Sequence, residues 1–416
     1  MRHISCFFHR MDVNKYRRTL SVMALSNLVL LMGVFEFSWD PHLVLLFYWF
    51  EAGVAVTREA AQSLFAALPP SKEYRPTGTR APFPLKILAD VRGGFRPARW
   101  LPPVYPQNVP YTLLTLIPLV AFWPFGGLML TGVVTPVVET FVLPVSAALG
   151  VLAILVSQLF KLVDWFQSGE YETVSATGGV SKTHLALLFI LAFVAPFVVG
   201  VVEAAGVTRV ELGLVLVGSK VVYDVLELRN PGFVQSAMFI DKTAGEESTV
   251  EVPDGEPVAA FHTDQRAEFT TSVFVGVLSS FLGPTLFFVL LGGLTGMLVG
   301  SNLFGTPHGP AIGVVAGAAV VVAVRVLAQL AVGWIVGGHL VYRVYPDAVV
   351  AHNTLTSEAQ WSIPREDISD VTIGDGFLAS RLPDWFGTVR LDRYNGESHK
   401  IAYLTDVDAV AQLLDA

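Results

Sequence analysis

The sequence predicts a polytopic α-helical membrane protein of about eight transmembrane helices, closed by a small C-terminal β-rich domain. Three observations predict it. Of 416 residues, 53% are hydrophobic and only 15% are charged, and mean hydropathy is +0.56, whereas soluble domains carry roughly a quarter charged residues. Apolar windows recur at the length of about 20 residues that an α-helix needs to cross ~30 Å of hydrocarbon. Beyond residue 340 the pattern changes to alternation of apolar and polar residues with period two, the mark of half-buried strands.

In chain order, residues 1–18 form a basic N-terminus with Arg2, Arg10, Lys15, Arg17 and Arg18. Residues 19–230 hold six of the expected spans, near 19–37, 41–64, 111–133, 136–160, 184–204 and 208–227. SWDPH makes a tight turn between the first two, with Pro41 in the first helical turn, where its missing N–H costs nothing. The loop 67–110 is rich in Pro, Arg and aromatics. Repeated Pro prevents a long helix there, so it reads as a basic connector on anionic headgroups or as a lid. Residues 231–268 read as an acidic, turn-rich linker, and 269–341 as a transmembrane hairpin from spans near 270–299 and 311–341. LLGGLTGMLVG and IGVVAGAAVVVA place small residues where the two backbones would approach.

Residues 342–416 complete the chain. LVYRVY, DAVVAH, AQWSI, DVTIG, GTVRLDRY and HKIAYL read as strands between turn signals, and TDVDAVAQLLDA as a closing helix. The basic N-terminus and the basic loop after the second span are expected in the cytoplasm. An even number of spans then places the C-terminus there too, in a multi-pass protein of the cell membrane.

Composition also excludes function classes. The formal net charge is −8 and no large basic surface is available, so nucleic acid is not an expected partner. The single Cys6 allows neither an internal disulfide nor a thiolate metal cluster. No HExxH, GxSxG or GxxxxGK[ST] motif occurs, no cofactor is implied, and the chain does not read as an enzyme. The acidic excess of the later extramembrane segments resembles the surface bias of proteins from a high-salt cytoplasm, as in haloarchaea.

Chemistry concentrates in two apolar stretches. In LLFYWFEAGVAV, Glu51 lies ~13 Å from the outer end of its span, close to the midplane. A carboxylate facing lipid there costs about 2.5–3.5 kcal/mol, so it is expected to face protein. In VGSKVVYDVLEL, Lys220 and Asp224 are at i,i+4 and share one helix face, at a depth where a long Lys reaches Glu51. Glu51, Lys220 and Asp224 would form a network with one surplus negative charge, which Arg325 of the last span, a cation or a proton would neutralise. Trp39, Tyr48 and Trp49 flank it. Such a network serves either to fix helix packing or to line a cavity for a cation or small polar solute.

Two resemblances add to this reading. NLVLLMGVFEFSWD, LLFYWFEAGVAV, GEYETVS and GSKVVYDVLELR, across residues 19–230, resemble the prokaryotic membrane family domain of unknown function 6498. Trp39, the Tyr48-Trp49-x-Glu51 signature, Lys220 and Asp224 match its pattern. The family's histidine near the final span has no counterpart at 226–229, which argues against a metal site. SIPREDISDVTIGDGFLASRL, GTVRLDRYNGE and VDAVAQLL are similar to bacterial pleckstrin-homology-like modules. That likeness implies a partly open barrel with one helix, and a surface for a protein partner or a second copy. Glu366, Asp367, Asp370 and Asp375 make anionic headgroups poor ligands for it. The expected function is therefore a membrane scaffold or sensor, with a transporter or channel as the alternative.

Overall fold

A computed structural model describes residues 21, 24, 27–37, 39, 41–69, 85–130, 145–176, 187–188, 190–229, 250–304, 307–373, 387–404 and 406–415. The basic N-terminus 1–18 and residues 231–249 of the expected linker lie outside them. In chain order the elements are α1 (27–35), α2 (Pro41–Phe65), α3 (Leu85–Leu88), α4 (Val109–Leu130) and α5 (Val145–Gln167). A π-helical turn, Ile190–Val194, leads into α6 (Ala195–Ala204), and α7 is Arg209–Arg229. Then follow β1 (Ala259–His262), α8 (Gln265–Ser280), α9 (Gly283–Phe304) and α10 (Gly309–Val336). The chain ends with β2 (Leu340–Val344), β3 (Ala348–Asn353), β4 (Glu358–Pro364), β5 (Ile368–Ile373), β6 (Gly387–Arg393), β7 (Ser398–Leu404) and α11 (Val407–Asp415). The molecule is mostly helical with a C-terminal antiparallel β region.

The expected count of eight spans is corrected. Among the described residues two helices are long and apolar enough to cross a membrane, Ala147–Gln167 and Gly309–Val336. A third is added if α8 and α9 count as one broken span. Charge sets two of the expected spans apart: α2 carries Glu51, Arg58 and Glu59, and α7 carries Arg209, Glu211, Lys220, Asp224, Glu227 and Arg229. The span expected over 270–299 bends by 71° between α8 and α9. Pro284 has no N–H to continue the first helix.

The chain divides into two compact units, 1–75 with 98–103 and 111–246, and 76–97 with 104–110 and 247–416. In the first, α2 is the central element, with Val44, Leu45, Val56 and Ala60 each at most 1% exposed. Its aromatic side chains fill places left by glycines on neighbouring helices. A Cβ on Gly150 would lie 2.7 Å from the Phe47 ring, and one on Gly127 2.8 Å from Trp49. The match is reciprocal at Gly53, where α2 itself lacks a side chain so that Trp123 of α4 can seat against it. Meanwhile α5 keeps an apolar outer face, with Leu149, Leu152, Val156 and Leu159 all more than half exposed.

In the second unit α9 and α10 meet backbone to backbone, as the small residues predict. A Cβ on Gly296 would fall 2.0 Å from the carbonyl oxygen of Gly313. Two sheets follow, ordered β1-β2-β3-β4 and β5-β6-β7, all pairs antiparallel. They share a core of Tyr342, Val344, Val349, Ile363, Val389, Leu391, Ile401 and Leu404, closed by Val410 and Leu414 of α11.

Two segments join this unit from outside the region expected to build it. Strand β1 comes from residues read as linker and pairs with β2 from Ala259↔Val344 to His262↔Val341. Asp264, immediately after it, caps α8 by accepting from Arg266 N (2.8 Å) and Ala267 N (3.4 Å). The second segment is the described part of the basic loop. Leu88 and Val91 are buried against Val332, Ile335 and Val336 of α10, and Phe95 stands edge-on to Trp334 at 6.5 Å. Gln360 of β4 takes Arg92 in a two-bonded clasp, accepting from its N–H (2.8 Å) and donating to its carbonyl (3.1 Å). These residues are a packed strap; the part of the loop over 70–84 lies outside the described residues.

Candidate functional site

The candidate site is built around the polar face of α2. Tyr48, Glu51 and Arg58 follow at i, i+3 and i+10, so all three project along one side of the helix. On α7, Lys220 and Asp224 are one turn apart. The Lys220 ammonium donates to both Asp224 oxygens at 2.6 and 2.8 Å and lies 3.4 Å from Glu51 Oε2. Asp224 is held from a third side by Asn27 of α1, whose Nδ2 donates to Oδ2 at 2.9 Å. Gln158 of α5 bridges the α2 groups, accepting from Arg58 Nη1 (2.7 Å) and directing Nε2 to Glu51 Oε1 (3.5 Å). Arg58 also reaches Glu59 at 3.4 Å.

The structure therefore brings Glu51, Lys220 and Asp224 together. Arg325 belongs to the other unit, where its Nη1 donates to Gln329 Oε1 at 3.3 Å. Within the first unit Arg58 and Lys161 add positive charge, and Lys161 feels Arg58, Glu51, Lys220 and Asp224 as its charged neighbours. With Glu59 included, three cations face three carboxylates. Nothing in the count requires a bound cation.

The flanking aromatics take different roles. The Tyr48 phenol sits in the field of both Glu51 and Asp224, is 7% exposed, and its buried oxygen makes no hydrogen bond. Trp39 is a packing residue stacked on Phe47 at 4.8 Å, and Trp49 packs against Trp123 at 5.5 Å.

Asn27, Arg58, Gln158 and Lys161 were not legible as site residues. Arg58 had a signal, since it follows Glu51 at i+7 on the same face. Lys161 was hidden because the apolar window ends at Phe160, while the helix continues to Gln167.

A family model described as a family of unknown function, DUF6498, matches residues 10–246. No curated protein matches the chain. No solved structure matches it. Every residue of the network lies inside the matched region, which spans more than half of the sequence, and β1 with the helices and strands after it lies outside. The chain belongs to the DUF6498 family of unknown function.

Proposed function

We propose that this chain is a multi-pass membrane protein acting as a non-enzymatic scaffold or sensor, with both termini in the cytoplasm. Its C-terminal β region would be the interaction module for a protein partner or a second copy. The pleckstrin-homology-like assignment of that module is supported by four- and three-stranded antiparallel sheets sharing one core closed by a terminal helix.

One observation carries the reading. The strap over 85–97 lies in sequence between α2 and α4 of the family region, yet it packs on α10 and is clasped by Gln360 of β4. We infer that a change at the β region would reach the helix that bears Glu51 and Arg58 along the chain that joins the strap to it. The experiment is hydrogen exchange on the full chain in detergent. Gln360→Ala should raise exchange over 85–97 and also alter it in Pro41–Phe65; a change confined to 85–97 would refute coupling.

The second reading, a transporter or channel for a cation or small polar solute, is favoured by the unpartnered Tyr48 hydroxyl beside two carboxylates. Flux in proteoliposomes that vanishes with Glu51→Gln would replace the sensor with a carrier.

A further inference from the structure

On α2 and α5 the unmet polar groups of the network can all donate. Arg58 spends its Nη atoms on Gln158 and Glu59, but its Nε is buried without a hydrogen bond. The Tyr48 hydroxyl is buried in the same state. Lys161, among the described residues, makes no hydrogen bond and no ion pair, although Arg58 is its foremost charged neighbour. Water would satisfy the hydroxyl and Nε, yet it brings no charge to an ammonium beside a guanidinium. What these groups lack is an anionic acceptor.

Glu51 is held more loosely than Asp224. Its oxygens stand 3.4 Å from Lys220 and 3.5 Å from Gln158, while Asp224 has partners at 2.6, 2.8 and 2.9 Å. Side-chain exposures of 15% for Arg58 and Glu51 and 17% for Lys220 leave the ionic face approachable. Because three cations already balance three carboxylates, a simple anion would add an uncompensated charge in a poorly solvated place. A zwitterion would not.

We propose that Arg58, Lys161, Glu51 and Tyr48 form a binding site for a small zwitterionic solute of the amino-acid class. Arg58 and Lys161 receive its carboxylate, Glu51 turns to its ammonium, and Tyr48 supplies one further hydrogen bond. The inference names the solute that the sensor or carrier reading needs. It rests on that reading only for its purpose, since binding is measured without reference to coupling or flux.

The test uses the full chain in mild detergent and chloride medium, with glycine, acetate and methylammonium as probes. Thermal unfolding and isothermal titration should show saturable stabilisation by glycine, weaker stabilisation by acetate and none by methylammonium. Lys161→Met should abolish the glycine effect and Lys161→Arg restore it. If Lys161→Met does not fold, Tyr48→Phe serves, because its hydroxyl holds nothing in the fold; glycine affinity should fall about tenfold, the worth of one buried hydrogen bond. Absence of saturable binding of glycine in the wild type overturns the proposal. So does an affinity unchanged in Lys161→Met or in Tyr48→Phe. Acetate binding equal to that of glycine overturns the zwitterion.

Discussion

Replacing Lys220 by Met tests whether the ionic network holds the helices of the first unit together. The ammonium makes two bonds to Asp224 and one longer contact to Glu51, and the three side chains are 17, 11 and 15% exposed. Met fills most of the volume but supplies no charge. Asp224 would keep only the Asn27 bond and Glu51 only the long approach of Gln158. Breaking a buried pair by removing one partner costs about 3–5 kcal/mol, because the remaining charge stays desolvated.

Glu51 lies near Arg58 and Lys161 as well, so the lower half of that range, about 3 kcal/mol, is expected. Adding Asp224→Asn removes the stranded carboxylate, and the double variant should recover about 1–3 kcal/mol relative to the sum of the two single losses. The assay is reversible unfolding in mixed detergent micelles, with the four proteins of the cycle compared under one condition. A single-variant loss below about 1 kcal/mol, the value of an exposed pair, would refute the reasoning, and so would strict additivity.

Two further outcomes follow from the second unit. Gly296→Val should force α9 from α10, because the first added carbon would already overlap the Gly313 carbonyl; a loss of about 1–3 kcal/mol, read from the unfolding midpoint, is expected of such overpacking. His399 packs on Trp361 at 5.2 Å, and burial, with Arg393 second, holds its imidazole below the usual range. The unfolded chain then binds more protons than the folded one below about pH 6.5, so stability falls as pH drops from there towards the lowered folded value and levels off beneath it. His399→Gln should flatten part of that acid limb in unfolding midpoints taken between about pH 7.5 and 5.5. An unchanged limb would rule His399 out as its source.

Much of the candidate site was legible because charges inside long apolar stretches are few and helical spacing is simple. Glu51 stood out against an apolar run, and Lys220 with Asp224 declared a shared face. Helix boundaries were less legible. Hydropathy marks where apolar residues stop, not where hydrogen bonding stops, and so α5 was ended before Lys161 and the broken span at Pro284 was read as continuous. The packing of the basic loop was hidden for a different reason. Its Pro and Arg content describes a solvated connector, while Leu88, Val91 and Phe95 are too few and too scattered to show a periodic face.

The sequence by itself determined the apolar helical character, the small-residue meeting of α9 and α10, the change to β structure near residue 340, and the pairing of Lys220 with Asp224. These are local, being written in composition and in spacings of a few residues. Tertiary structure alone decided that Arg58 and Lys161 balance the network, that Ala259–His262 completes a sheet, and that the strap packs on α10 and β4. Each joins residues from about 80 to more than 200 positions apart, and at such separations only the closed chain determines which groups share a desolvated space.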